Sequence, residues 1–292
     1  MKWQVGRRSG NVEDRRGQGL GGGGGMRLGL GGIVIVVIFA LITGRNPLEL
    51  LGLLAQQDQP GTVQTQPGSA EPSAPPADDQ AIQFVSTILG STEDVWSRIF
   101  QASGNTYPAP KLVLFSGVVA SACGQASSAV GPFYCPGDRQ VYLDTSFFDE
   151  MTSKLGGGGD FAEAYVIAHE VGHHIQTLTG VSDRMNSLRA RGESMEGDNG
   201  LSVRQELQAD CYAGVWANQA QAQYNWLEAG DIEEALNTAS AIGDDRLQRQ
   251  SRGTVVPDSF THGTSEQRVR WFRNGFDSGD VGRCDTFKAS KL

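Results

Sequence analysis

The sequence contains no Cys-x-x-Cys pair and no basic block beyond its N-terminal residues. Its four cysteines, Cys123, Cys135, Cys211 and Cys284, are widely spaced, which argues against a zinc ribbon or a thioredoxin-type redox centre. The formal net charge is −9, so we expect no nucleic-acid partner. Histidine is also scarce, since the 292 residues contain four.

Three of the four histidines lie within the hexapeptide His169 to His174. The apolar residues around them repeat at helical spacing, which predicts a helix. His169 and His173 are four positions apart and would lie one turn apart on the same helix face. Two neutral imidazoles placed in this way can hold one Zn²⁺, with Glu170 directed at a metal-bound water. The pattern is typical of a metalloprotease active-site helix and not of histidines scattered through a core.

The N-terminal residues differ in composition from the rest of the chain. Residues 1–27 are polar, glycine-rich and net basic, which predicts a disordered cytoplasmic segment. Residues 28–44 contain an uncharged apolar run that is short for a bilayer span of about 20 residues. A cleaved signal peptide and a buried core helix are therefore alternatives. We favour an uncleaved transmembrane anchor, because residues 1–27 make a long leader and no clear Ala-x-Ala site follows.

The basic side precedes this run, so the positive-inside rule places the N-terminus in the cytoplasm and the remainder of the chain outside. Residues 45–79 are rich in proline, glutamine and serine, which predicts a flexible linker. Residues 80–292 would form the folded domain. Helical periodicity there predicts helices over residues 81–102 (broken at Gly90), 146–155, 161–176, 202–222, 231–241 and 264–274, and strands over 111–117 and 140–144.

Two histidines leave a catalytic zinc one protein ligand short. The alternatives for the third ligand are another histidine or a carboxylate on a later helix. The motif could also belong to no metal site at all. His174 is adjacent to His173 and points about 100° away from it. Glu206 and Asp210, four apart on the predicted helix 202–222, favour a carboxylate. Glu206 would bind zinc while Asp210 accepts the ring N–H of a liganding histidine, with Asp210 as the alternative ligand and an exposed acidic face as the alternative interpretation.

The His-Glu-x-x-His motif followed by Glu206-x-x-x-Asp210 resembles the gluzincins. The fuller pattern of apolar N-terminal run, HEVGHH, ELQADCYAGVWA and THGTSEQRVRWF is similar to the bacterial putative neutral zinc metallopeptidase family. The resemblance implies an α+β fold: a mainly helical, zincin-like minimal gluzincin domain with a small antiparallel sheet, preceded by one transmembrane helix. It implies one Zn²⁺ per chain and a single-pass protein of the bacterial inner membrane with a periplasmic catalytic domain.

The segment from His262 to Arg268 resembles the His-Pro segment and later arginine of membrane gluzincins, with Gly263 in place of proline. His262 would then donate a hydrogen bond to the oxyanion, and Arg268 would orient Glu206. A loop histidine and a surface arginine are the alternatives. By analogy with gluzincins, an edge strand beside the active-site helix would pair with extended substrate, and an ordinary strand is the alternative. The residues of this strand would be Gln140, Val141, Tyr142 and Leu143.

Export would place the thiols in an oxidising compartment. Cys123 and Cys135 would then close a local loop, and Cys211 and Cys284 would tie the C-terminal tail to the Glu206 helix. A buried free thiol at Cys211 is the alternative.

The function predicted from these patterns is a membrane-anchored zinc endopeptidase with Glu170 as general base. Its partners would be a peptide or protein substrate and the membrane. A catalytically inactive, membrane-tethered binding or scaffold module and a zinc hydrolase of non-peptide bonds are the alternatives.

Overall fold

A computed structural model describes residues 1–17, 79–155 and 158–292 of the chain. The predicted transmembrane segment, residues 28–44, lies outside the described residues, as does the predicted linker except for Asp79. The α-helices of the described part are α1 (Gln80–Ala102), α2 (Ser146–Glu150), α3 (Asp160–Leu178), α4 (Val181–Ala190), α5 (Leu201–Tyr224), α6 (Asp231–Ala241), α7 (Asp244–Arg252) and α8 (Ser265–Ser278). The mainly helical α+β class predicted for this domain is confirmed.

Two sheets accompany the helices. Their strands are β1 (Val12–Asp14), β2 (Lys111–Phe115), β3 (Val118–Ser121), β4 (Gly124–Ser127), β5 (Phe133–Cys135) and β6 (Gln140–Asp144). The larger sheet has the order β1-β2-β6-β5, and β3 with β4 forms a separate hairpin. Because β1–β2 and β2–β6 are parallel and only β5–β6 is antiparallel, the larger sheet is mixed, and the predicted purely antiparallel sheet is wrong.

Residues 1–17 are ordered, which contradicts the prediction of a disordered segment for this part of the chain. β1 completes one edge of the larger sheet, with Val12 opposite Leu112. The buried carboxylate of Glu93 on α1 accepts hydrogen bonds from Arg7, Ser9 and Asn11 at 2.6–2.7 Å. These partners lie more than 80 positions away along the chain, so local composition gave no sign of them.

The predicted placement as a single-pass inner-membrane protein with a periplasmic domain is contradicted. Within residues 1–17, 79–155 and 158–292, no helix has both the length and the apolar character that a membrane crossing requires.

Several local predictions also change. α1 is continuous through Gly90, and the Ser91 hydroxyl donates to the carbonyl of Ile88 and does not cap a second helix. The helices α4 and α7 were not predicted. The cap at Thr264 is present as a full capping box with Gln267, as its position before an amphipathic helix would suggest.

The crossing of α3 and α5 determines which side chains meet in the interior. Gly172 lies against Ala209 of α5, and a Cβ at position 172 would come within 3.0 Å of the Ala209 carbonyl oxygen. A larger residue would push the helices apart. The glycine inside the HEVGHH motif, one turn after His169 and directly before His173, therefore allows α5 to approach α3 closely.

Gly90 offers a test of how the N-terminal segment packs. A Cβ at this position would come within 2.3 Å of the Arg7 carbonyl oxygen. In an open helix, Gly90→Ala would gain about 1 kcal/mol from helix propensity. We expect instead a lower melting temperature, by about 2–4 °C for each kcal/mol lost, and faster amide exchange in residues 1–17.

The matched control is Ser97→Ala, at an exposed position of the same helix, which should leave both quantities nearly unchanged. A Gly90→Ala protein that melts at a higher temperature, with unaltered exchange in residues 1–17, would contradict this packing.

Candidate metal centre

Three potential metal ligands meet where α3 crosses α5. The His169 Nε2 atom lies 3.2 Å from Oε2 of Glu206, and His173 Nε2 lies 3.6 Å from the same oxygen. Zinc bonds of about 2.0–2.1 Å in a tetrahedral arrangement place neighbouring ligand atoms about 3.3 Å apart. The spacing of these two nitrogens and one oxygen therefore fits a single zinc ion without rearrangement of the helices. The structure brings together the three residues that the sequence predicted as ligands.

Asp210 fixes the orientation of His169. Its Oδ1 lies 2.8 Å from His169 Nδ1, and its side chain is fully buried. A carboxylate can only accept, so Nδ1 carries a proton and Nε2 is the ring nitrogen directed toward Glu206. A proton held on Nδ1 is what metal binding through Nε2 requires.

Arg268 and Tyr165 hold Asp210 in turn. The guanidinium of Arg268 donates two hydrogen bonds of 2.9 Å to the Asp210 carboxylate, and the Tyr165 hydroxyl donates a third at 2.6 Å. Burial alone would raise the pKa of Asp210, but Arg268 and His169 outweigh it and hold that pKa well below its usual value. The predicted contact of Arg268 with Glu206 is replaced by this pairing with Asp210.

Gln176 plays the corresponding part for His173 and was not predicted from the sequence. Its Nε2 donates to the Gln205 carbonyl at 2.7 Å, so its Oε1 is free to accept from His173 Nδ1 at 2.9 Å. The available signal was its position three residues after His173, which places it on the same helix face.

The electrostatic field at the centre favours a cation. Burial would lower the pKa of His169, yet Asp210 and Glu206 outweigh it and raise that pKa to about 10. For Glu206, burial would raise the pKa, but His173 and His169 together hold it well below its usual value. Each shift reports stabilised positive charge between ionised carboxylates, which a divalent cation would also supply.

A cleft of about 530 Å³ opens beside these residues. Glu170 and His262 both line it, as do His169, His173 and Glu206. The remaining lining is largely apolar and includes Val130, Pro132, Phe133, Phe147, Val166, Ile242 and Leu247. A cleft that combines an apolar wall with a few polar groups is typical of a ligand site.

Asp244 positions His262 at this cleft and was not predicted. Its Oδ2 accepts the backbone N–H groups of Thr261, His262 and Gly263 at 2.6–3.0 Å, and its Oδ1 lies 3.3 Å from His262 Nδ1. These contacts with Asp244 raise the pKa of His262 above its usual value, although burial opposes them. The imidazole, which is half exposed, is thus favoured as a hydrogen-bond donor.

The predicted substrate edge strand, Gln140 to Leu143, is wrong in its position. β6 lies between β2 and β5 in the sheet, so its backbone groups are paired on both sides. β5 is the terminal strand of the sheet and also lines the cleft. Sequence could not separate these strands, because edge and interior positions depend on pairing between distant segments.

His174 turns away from the ligand cluster, as its position next to His173 predicted. Its Nε2 lies 2.7 Å from the Pro108 carbonyl oxygen, and its Nδ1 lies 3.0 Å from the Tyr134 hydroxyl. Burial lowers the pKa of His174 to about 4, so the ring is neutral near pH 7.

Both predicted disulfides are present. Cys123 is bonded to Cys135 and Cys211 to Cys284, and the described residues include no free cysteine. The first bond joins the β3–β4 hairpin to β5. The second joins α5, one residue after Asp210, to the C-terminal tail.

The sequence is similar to one protein family and to individual bacterial proteins. The family model described as putative neutral zinc metallopeptidase matches residues 1–287. The uncharacterized protein YpfJ of Escherichia coli (strain K12) is 51% identical over 99% of this chain and 100% of its own length. The uncharacterized protein Rv2575 of Mycobacterium tuberculosis (strain ATCC 25618 / H37Rv) is 45% identical over 69% of each chain. No solved structure matches. The chain belongs to the putative neutral zinc metallopeptidase family.

Proposed function

We propose that this protein is a zinc-dependent endopeptidase of the gluzincin type, with a zincin-like domain formed by residues 79–292 together with residues 1–17. The observation that carries the proposal is the meeting of His169, His173 and Glu206 at zinc-ligand spacing beside an open cleft. The cluster contains three protein ligands among the described residues. A structural zinc usually has four, and a catalytic zinc keeps one position open.

When bound, one zinc ion lowers the pKa of a water molecule and polarises the carbonyl group of the substrate. Glu170 lines the cleft beside both liganding histidines and acts as the general base. It accepts the proton of the attacking water and later delivers it to the leaving amine. A scaffold with a structural metal would have no use for this carboxylate.

His262 donates a hydrogen bond to the oxyanion that develops on the carbonyl oxygen. Asp244 supports this role by holding the His262 backbone and ring together and by favouring the protonated imidazole. Arg268 acts indirectly. It holds Asp210 in place, and Asp210 in turn fixes the orientation of His169.

A peptide or protein substrate binds along β5. This strand pairs with β6 on one side, and within the described residues no strand pairs with its other side. The unpaired backbone groups can accept an extended peptide as an additional strand. The apolar walls of the cleft would contact the side chains of that peptide.

Glu170→Gln tests the general base. The substitution keeps the shape of the side chain but removes its ability to accept a proton, so we expect zinc content to stay at one per chain while peptide hydrolysis falls by about 10²–10⁴-fold. The measurement is cleavage of a mixed peptide library by the zinc-loaded protein, alongside metal analysis.

Glu163→Gln is the matched control, since it changes the same side chain two turns earlier on α3. It should hydrolyse peptides at the parent rate. Equal rates for the parent and Glu170→Gln would remove Glu170 from the reaction.

Asp210→Asn tests the support of the first ligand. Asparagine retains the volume but withdraws the negative charge that His169 and Arg268 require. We expect zinc affinity, measured by competition with a chelator, to fall by about 10–100-fold.

Asp183→Asn on the exposed surface of α4 is the control and should bind zinc as the parent does. The melting temperatures of both variants show whether zinc affinity is being measured on folded protein. Unchanged affinity in folded Asp210→Asn would show that Asp210 does not govern the metal site.

A further inference from the structure

A buried hydrogen-bonded chain connects the proposed substrate strand to the metal-binding helix. His174, on α3, is 1% exposed and lies between Tyr134 of β5 and the carbonyl of Pro108. The carbonyl oxygen can only accept, so His174 Nε2 carries the ring proton. Nδ1 of the neutral ring is then an acceptor, and the Tyr134 hydroxyl donates to it.

The alternation of β5 directs Tyr134, and not its neighbours, toward α3. Phe133 stacks on Tyr142 at 4.8 Å between ring centroids, and Cys135 packs in the same apolar cluster beneath the β3–β4 hairpin. Tyr134 points to the opposite face of the sheet, as every second strand residue does, and belongs to the main core with α3. The strand therefore reaches the helix through this one side chain of the three.

Aromatic packing fixes the imidazole in place. The rings of Tyr107 and Tyr134 meet it edge to face, at centroid distances of 5.7 and 5.5 Å. His174 directly follows His173, one of the proposed zinc ligands. Because the helix backbone is rigid over one residue, the position of β5 is tied to the position of the metal site.

We propose that Tyr134 and His174 are positioning residues. They fix the distance between the β5 backbone and the metal centre, and so determine how tightly an extended peptide binds. This inference rests on the proposed endopeptidase function. Neither residue contacts the metal cluster in this arrangement, so both act on substrate through the strand. The binding of an extended peptide that pairs with β5 depends on that distance, whereas the binding of a substrate confined to the metal centre does not.

Tyr134→Phe removes the hydroxyl and keeps the ring. We expect KM to rise about tenfold for an eight-residue peptide, the effect of losing one buried hydrogen bond. The value of kcat should be unchanged, as should KM for a blocked dipeptide and zinc affinity. His174→Leu, which has no acceptor for the Tyr134 hydroxyl, should give the same pattern.

Tyr142→Phe is the matched control. Tyr142 lies opposite Phe133 on β6 and shares its face of the sheet, away from Tyr134. Its hydroxyl donates to Asp138. Tyr142→Phe should leave KM unchanged for both the eight-residue peptide and the blocked dipeptide. If Tyr134→Phe affects the dipeptide and the long peptide equally, or behaves like Tyr142→Phe, the positioning role is overturned.

Hydrogen–deuterium exchange separates a failure of this inference from a failure of the proposed function. The amides of residues 133–135 should exchange faster in Tyr134→Phe than in Tyr142→Phe, whether or not any peptide is cleaved. A parent protein that binds zinc but cleaves neither peptide would refute the endopeptidase proposal. Unchanged exchange at residues 133–135 would refute the positioning role by itself.

Discussion

The buried carboxylate of Asp210 is the interaction on which the rest of the centre depends. It accepts hydrogen bonds from His169 and Tyr165 on α3 and from Arg268 on α8, so it joins three helices at one point. A fully buried charge is costly unless it is paired and hydrogen-bonded. These partners compensate Asp210 and, in doing so, leave one nitrogen of His169 directed at Glu206. The hydrogen bonds that stabilise the buried charge of Asp210 therefore also orient His169 for the proposed metal site.

The proposed function adds a second constraint, because it requires substrate and metal to be held on different elements at a fixed separation. The proposed ligands come from α3 and α5, and residues of β5 form another part of the cleft wall. The Cys123–Cys135 bond connects β5 to the β3–β4 hairpin, and the Tyr134 hydroxyl connects it to α3. The N-terminal strand β1 closes the far edge of the same sheet. Residues near the N-terminus thus belong to the sheet that supplies one wall of the cleft.

Local patterns were sufficient for the parts of this structure that depend on local chemistry. The spacing of His169 and His173 identified one helix, the spacing of Glu206 and Asp210 identified the other, and Thr264 marked the start of α8. Features that depend on distant contacts were not accessible. Residues 1–17 are ordered by Glu93 and by pairing with β2, and β6 is interior because β2 and β5 flank it. The very polar α7 carried no apolar stripe by which to recognise it, so Asp244 was missed with it.

The most direct test is anomalous diffraction at the zinc absorption edge from crystals of the zinc-loaded protein. The account predicts one zinc ion per chain, bonded to Nε2 of His169, Nε2 of His173 and the carboxylate of Glu206 at about 2.0–2.2 Å, with Asp210 still hydrogen-bonded to His169. A zinc ion bound elsewhere, or one coordinated by the two histidines without Glu206, would contradict it.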